Sequence, residues 1–180
     1  MLITISGLPG TGTTTVSKIL KERSGMDFIS SGEIFRGLAE EMKMSLAEFG
    51  KFAESDPSVD LKIDRRQQDL SQTRDNLILE GRLAGYMSVD VPPGKPVLRI
   101  CLKAPIETRV RRIMTREGTS SFKFEMDKTM TREASESIRY KNYYKIDLND
   151  MSIYDLVIDT NRLSPEIIAD IILTAADELK

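Results

Sequence analysis

Residues 7–15, Gly7-Leu8-Pro9-Gly10-Thr11-Gly12-Thr13-Thr14-Thr15, join three glycines to three consecutive threonines. They follow a short apolar run, Leu2–Ser6, and precede a helical pattern. Strand, glycine loop and helix in that order make a phosphate cradle. Glycines let backbone N–H groups curl around oxygens, and the helix N-terminus adds a positive dipole end. Gly7 and Gly12 have the required separation, and Thr14 stands where a hydroxyl would bind Mg²⁺. Position 13, usually lysine in such loops, is Thr13. A ligand-free glycine turn would show the glycines without the threonine run.

Three more groups carry charge to the ends of apolar runs. Ser31-Gly32-Glu33-Ile34-Phe35-Arg36 follows the second run, Met26–Ser30; Ser31 reads as a helix cap and Arg36 lies a turn or two further on. Glu80-Gly81-Arg82 closes the third run, where an arginine beside a phosphate loop could take a second phosphate. Arg109, Arg112 and Arg116 share one helix face, and Arg132, Glu136 and Arg139 share another. Between these stripes lies polar Glu117-Gly118-Thr119-Ser120-Ser121, the pattern of a lid closing over phosphates. Two surface helices laced with ion pairs would give the same spacing.

The elements that position these groups are legible too. Five runs, Leu2–Ser6, Met26–Ser30, Asn76–Glu80, Val97–Leu102 and Leu156–Thr160, are apolar on both faces, as buried parallel strands are. Helical patterns alternate with them, which predicts a layered α/β domain of βαβ units. Ser45 with Glu48 forms a capping box, Pro105 opens the helix that runs to Arg116, and Ser164-Pro165 starts the last helix. The stretch Leu38–Arg74 holds helix and no strand, an insertion between the second and third strands.

The whole has 180 residues, enough for one domain with a buried core. Hydrophobic residues are 40% and net charge is −2, so a broad electrostatic grip on nucleic acid is not expected. The absence of histidine excludes Ser-His triads, histidine bases and His-ligated zinc. A lone cysteine, Cys101, allows no intrachain disulfide and fits a reducing, cytoplasmic compartment. No signal peptide or membrane span is expected from the N-terminal Met-Leu-Ile-Thr-Ile-Ser-Gly.

Together these residues resemble the nucleoside monophosphate kinases, and within them the short archaeal type of cytidylate kinase. Ser31 to Arg36 is similar to that family's serine–arginine signature for the monophosphate. Arg132-Glu133-Ala134-Ser135-Glu136-Ser137-Ile138-Arg139 is similar to the signature that follows its lid. Ser152-Ile153-Tyr154-Asp155-Leu156-Val157-Ile158-Asp159-Thr160 carries the likeness toward the C-terminus.

The resemblance implies a three-layer P-loop kinase fold: five parallel strands in the order 2-3-1-4-5, helices on both faces. It implies one domain over 1–180, with core segments 1–37, 75–115 and 140–180, a monophosphate-binding insertion near 38–74 and a lid near 116–131. The implied reaction is ATP plus CMP, and also dCMP, giving ADP plus CDP, in a monomer using Mg²⁺, with neither nucleic acid nor membrane as partner. By the same resemblance Gly7, Gly10, Thr11, Gly12, Thr13, Thr14 and Thr15 hold the ATP phosphates, Thr14 also serving the metal. Ser31, Arg36 and Arg82 belong with the monophosphate. Arg116, Arg132 and Arg139 act on the transferring group, and Glu136 lies at the pyrimidine. Arg65 or Arg66 reaches the base or α-phosphate. Leu83 follows Arg82 where bacterial relatives carry an aspartate, which moves part of the base readout to Asp60 or Asp64. A kinase for AMP or UMP, or a nucleotide-binding module without catalysis, are the competing expectations.

Overall fold

In the computed structural model, which describes residues 1–179 apart from the side chains of residues 46, 47 and 54, the sheet has five parallel strands. They are β1 (Leu2–Gly7), β2 (Asp27–Ser30), β3 (Leu77–Glu80), β4 (Val97–Lys103) and β5 (Leu156–Asp159), ordered β2-β3-β1-β4-β5. That order is the expected one. β1 sits centrally, with Ile5 opposite Glu80 on β3 and Gly7 opposite Leu102 on β4. The register brings the loop after β1, the Glu80–Arg82 corner and the end of β4 to one edge. Such sheets bind ligands at the carboxyl ends of their strands.

Alternate residues of each strand serve opposite layers, which is why the runs are apolar throughout. Ile3, Ile5, Ile78, Ile100 and Leu102 pack with helices α1 (Thr13–Ser24) and α7 (Pro165–Asp177). Leu2, Leu77 and Leu79 pack on the other face with Leu70 of helix α4 (Pro57–Thr73). Helix α5 (Ile106–Glu117) then passes, through residues 118–121, into the long helix α6 (Phe122–Tyr144).

The insertion has a small core of its own. Helices α2 (Ser31–Glu41), α3 (Leu46–Ser55) and α4 enclose Ala39, Phe49, Ala53, Val59 and Ile63. The phenyl rings of Phe35 and Phe49 lie 4.7 Å apart at 60°. Phe49 is fully buried, so its truncation to alanine would cost about 3–5 kcal/mol. Ser45 and Glu48 form the expected capping box, and the Ser164 side chain accepts from the backbone of Ile167.

One local expectation is corrected. Ser31 is the first residue of α2, and Ser30 is its N-cap. The Ser30 hydroxyl makes no capping bond because it donates instead to the Glu80 carboxylate, at 2.5 Å. Among the described residues no helix is long and apolar enough to cross a membrane.

Candidate active site

The loop between β1 and α1 is held from outside through its carbonyl oxygens. Arg82 Nη1 donates to Gly7, the Thr11 hydroxyl to Leu8 at 2.8 Å, and Arg109 Nη1 to Pro9 at 3.2 Å. Arg112 Nη1 donates to Gly10 at 3.3 Å, the Thr160 hydroxyl to Thr11 at 2.9 Å, and the Val16 backbone to Gly12. With each successive carbonyl engaged and the Thr11 N–H turned back to the Leu8 carbonyl at 3.2 Å, the Gly10 and Gly12 N–H groups and the first turn of α1 are the part left to face a phosphate. Gly10 has φ +82°, and a Cβ there would lie 2.5 Å from the Arg109 carbonyl oxygen, so both backbone and space require glycine. Arg109 and Arg112 therefore brace the loop, and the stripe expected over a lid is divided. Arg116 alone reaches solvent, its side chain 62% exposed and paired with Glu117 at 2.9 Å.

Thr13 stands in the buried floor of the loop. Its hydroxyl donates to Glu80 Oε1 at 2.7 Å, while Ser30 takes Oε2. Thr14 and Thr15 are exposed at the start of α1. Among the described residues no cluster of three or more His, Cys, Asp or Glu could hold a metal alone. Mg²⁺ needs none, since it binds through one or two protein oxygens together with substrate phosphates and water. The free Thr14 hydroxyl and the buried Glu80 carboxylate suit that demand.

Across the corner of β3, Glu136 joins two arginines. Its Oε2 accepts from Arg82 Nε at 2.7 Å and its Oε1 from Arg132 Nε at 2.8 Å. Burial alone would raise the Glu136 pKa; the two guanidiniums overcome it and hold the carboxyl below its usual range. Burial likewise opposes the charge on Arg82, and Glu136 more than restores it. Two cations on one carboxylate leave a net positive charge beside the loop, and Arg132 is 62% exposed, open to an incoming anion.

A second buried row comes from α4. Asp60, Asp64 and Gln67 are spaced i, i+4, i+7 and share its inner face. Asp60 Oδ2 meets Arg139 Nε of α6 at 3.3 Å, too poorly aimed for a hydrogen bond, so both atoms keep unused capacity. The Tyr144 hydroxyl donates to Asp64 Oδ2 at 2.6 Å, and Gln67 Nε2 donates to Asp64 Oδ1 at 3.4 Å. Burial, with the nearby Asp60 charge, pushes the Asp64 carboxyl up to about 7 against the pull of Tyr144. Burial raises Asp60 as well, with Arg139 opposing.

Ser31 packs on Gly81, where a methyl group would collide with its hydroxyl. Arg36 Nη1 lies over Gly32 and is exposed. The structure does not bring Arg65 to this row. At about 100° per residue, Arg65 and Arg66 turn to the exposed side of α4. Gln67, Tyr144 and Thr160 were not foreseen as part of the site, and Arg109 and Arg112 were expected over a lid and not bonded to the loop's carbonyls. The spacing of Gln67 from Asp60 and Asp64 was the available signal for one of them.

The model of the cytidylate kinase-like family matches residues 2–162. A cytidylate kinase of Methanococcoides burtonii is 55% identical over 177 residues, 98% of this chain and 97% of that protein. One of Methanocaldococcus jannaschii is 47% identical over 180 residues, 100% of this chain and 99% of the relative. Among solved structures, an uncharacterized protein from Eubacterium ventriosum superposes with a TM-score of 0.73 at 17% identity, covering 98% of both chains. A shikimate kinase from Acinetobacter baumannii in complex with shikimate gives 0.60 at 17% identity, over 99% of this chain and 95% of that one. The solved structures share the fold; identity near one half along the entire length is a closer bond, and the chain belongs to the cytidylate kinase-like family.

Proposed function

We propose that the chain transfers the γ-phosphoryl group of ATP reversibly to CMP, and to dCMP, giving ADP and CDP. The carrying observation is a phosphate loop whose carbonyls are all engaged while its Gly10 and Gly12 amides are not, set beside two arginines that share one buried carboxylate. One region suits the donor's phosphates and the other a second phosphate. Gly7 to Thr15 take the β- and γ-phosphates through backbone N–H groups and the α1 N-terminus. Ser31, Arg36 and Arg82 hold the monophosphate, and Arg116, Arg132 and Arg139 gather on the group in flight. A phosphate monoester is already a competent nucleophile, so no histidine or other base is needed; positioning and positive charge do the work. Bound Mg²⁺ would neutralise phosphate charge, with Thr14 and Glu80 the residues that would hold it.

With Thr13 uncharged, the cationic share falls on arginines. The α2–α4 insertion, 38–74, is read as the monophosphate arm and 116–131 as the lid. Gly118, at φ +68°, ends α5 and offers the pivot. The test mixes the protein with Mg²⁺-ATP and each nucleoside monophosphate in turn. ADP should form in step with CMP; ADP formation independent of any monophosphate, or none at all, would overturn the reading.

A further inference from the structure

Three buried polar atoms near the arginine pair lack a hydrogen-bond partner among the described residues: Asp60 Oδ2, Gln67 Oε1 and Arg139 Nε. Buried polar groups are nearly always satisfied, and an orphan is a group awaiting a ligand or carrying strain. Gln67 is 2% exposed. Its amide is not free to turn. Nε2 donates to Asp64 Oδ1, and Asp64 is itself held by the Tyr144 hydroxyl on its other oxygen. The carbonyl Oε1 is thereby aimed the opposite way, into the corner formed by Ser31 and Gly81, 3.3 Å from where a Gly81 Cβ would stand. That corner adjoins Arg82.

The corner thus offers one unused acceptor, Gln67 Oε1, on α4; Arg139 Nε of α6 lies two turns away along α4, against Asp60. Cytosine presents a 4-amino donor beside the N3 acceptor; uracil presents a 4-carbonyl beside an N3–H. The first edge can give its amino donor to Gln67 Oε1, and the second sets a carbonyl against that carbonyl. Glu136 has both oxygens occupied by Arg82 and Arg132. Resting on the CMP reading above, we infer that Gln67 reads the base, its Oε1 accepting from the 4-amino group of cytosine, and that Asp64 is the positioning residue that sets the amide. The oxygen is shielded here, so the base enters by parting α4 from α6, whose polar links at this level are Asp60–Arg139 and Asp64–Tyr144.

A carboxylate at position 64 can only accept, which is why it fixes the amide. In Asp64→Asn, Tyr144 donates to the new carbonyl and the new amide donates to Gln67 Oε1. Gln67 then turns its own NH₂ toward the base, the right partner for the uracil carbonyl. A merely structural role for Asp64 would weaken both substrates together.

The experiment measures kcat/KM for CMP and UMP at pH 8 in the parent protein, Gln67→Leu and Asp64→Asn, with melting curves to confirm folding. Gln67→Leu should lower the CMP:UMP ratio by on the order of 10²-fold, since a site built on hydrogen bonds discriminates through the groups it leaves unpaired. Asp64→Asn should shift the ratio toward UMP by about 10-fold or more, chiefly by raising UMP. A folded Gln67→Leu whose ratio matches the parent's overturns the assignment, as does an Asp64→Asn that loses both substrates equally. Should the parent transfer phosphate to no monophosphate, the kinase reading has failed. The ratio of dissociation constants for CMP and UMP, from calorimetric titration of the same proteins, then decides the base assignment separately. If Asp64→Asn does not fold, Gln67→Leu carries the test by itself.

Discussion

The two halves of the site treat their polar atoms in opposite ways. From Gly7 to Gly12 every loop carbonyl has a donor, drawn from the turn after β3, α5, the end of β5, α1 and the loop itself. On the α4–α6 side, three buried atoms lack a hydrogen-bond partner among the described residues, two of them meeting only as the Asp60–Arg139 ion pair. A triphosphate is the same whatever base it carries, so the loop can be finished at folding. A base edge is a specific pattern of donors and acceptors, and a pocket that reads it must keep its own pattern unspent. The loop is built for rigidity and the α4–α6 seam for choice.

That contrast can be broken most sharply where the halves meet. Arg132→Ala removes an exposed cation poised over both; kcat should fall about 10³-fold or more, the scale of arginine contacts to a transferring phosphoryl group. Steady-state rates at saturating ATP and CMP decide it, and a near-normal kcat would remove Arg132 from the chemistry. Next in size comes the loop. Gly10→Ala should cost about 1–3 kcal/mol in the loop's backbone conformation. ATP affinity, by titration, should drop far more than CMP affinity, whereas an equal loss would mean that the halves are not independent.

A smaller effect tests the seam through pH. Asp64 ionises near 3.8 when unfolded and at about 7 when folded. The folded state therefore holds more protons between these values, so this group's contribution to stability is full below about pH 4 and is lost as pH rises toward 7. Asp64→Asn should flatten that part of the stability–pH curve in urea titrations; a curve identical to the parent's would place the Asp64 pKa nearer its ordinary value. Smallest of all is Thr13→Val. It removes one hydrogen bond to Glu80, which keeps Ser30, and a single such bond is worth about 1 kcal/mol, or roughly fivefold in kcat/KM. A fall as deep as that of Arg132→Ala would show that Thr13, not the arginines, fills the lysine's role.

The strands were legible to within one residue because a run such as Asn76–Glu80, apolar on both faces, has few other ways to be buried. The loop was legible because glycines at fixed spacing before a helix have a backbone meaning. The arginines were only half legible. Spacing put Arg109, Arg112 and Arg116 on one face of α5, but a face has two ends, and periodicity cannot say that the first two point back to the loop while the third points out. Ser30 and Ser31 are adjacent, and the choice of cap was settled by Glu80, fifty residues away in sequence. Gln67 is uncharged and gave no signal of its own; only its row with Asp60 and Asp64, seen against α6, makes it conspicuous. Arg65 and Arg66 drew notice by charge, and the helix turns both to its exposed side, away from the Asp60–Gln67 row.

Glu136 ties the tip of β3 to the middle of α6, and this has a consequence for the entropy of binding. A free arginine carries about 2 kcal/mol of rotamer freedom. Most of that freedom is lost by Arg82 and part by Arg132 when the chain folds, before any nucleotide arrives. The incoming phosphate meets guanidiniums already confined, and the disorder it must quench is mainly that of its own ribose torsions and of the chain that closes over it.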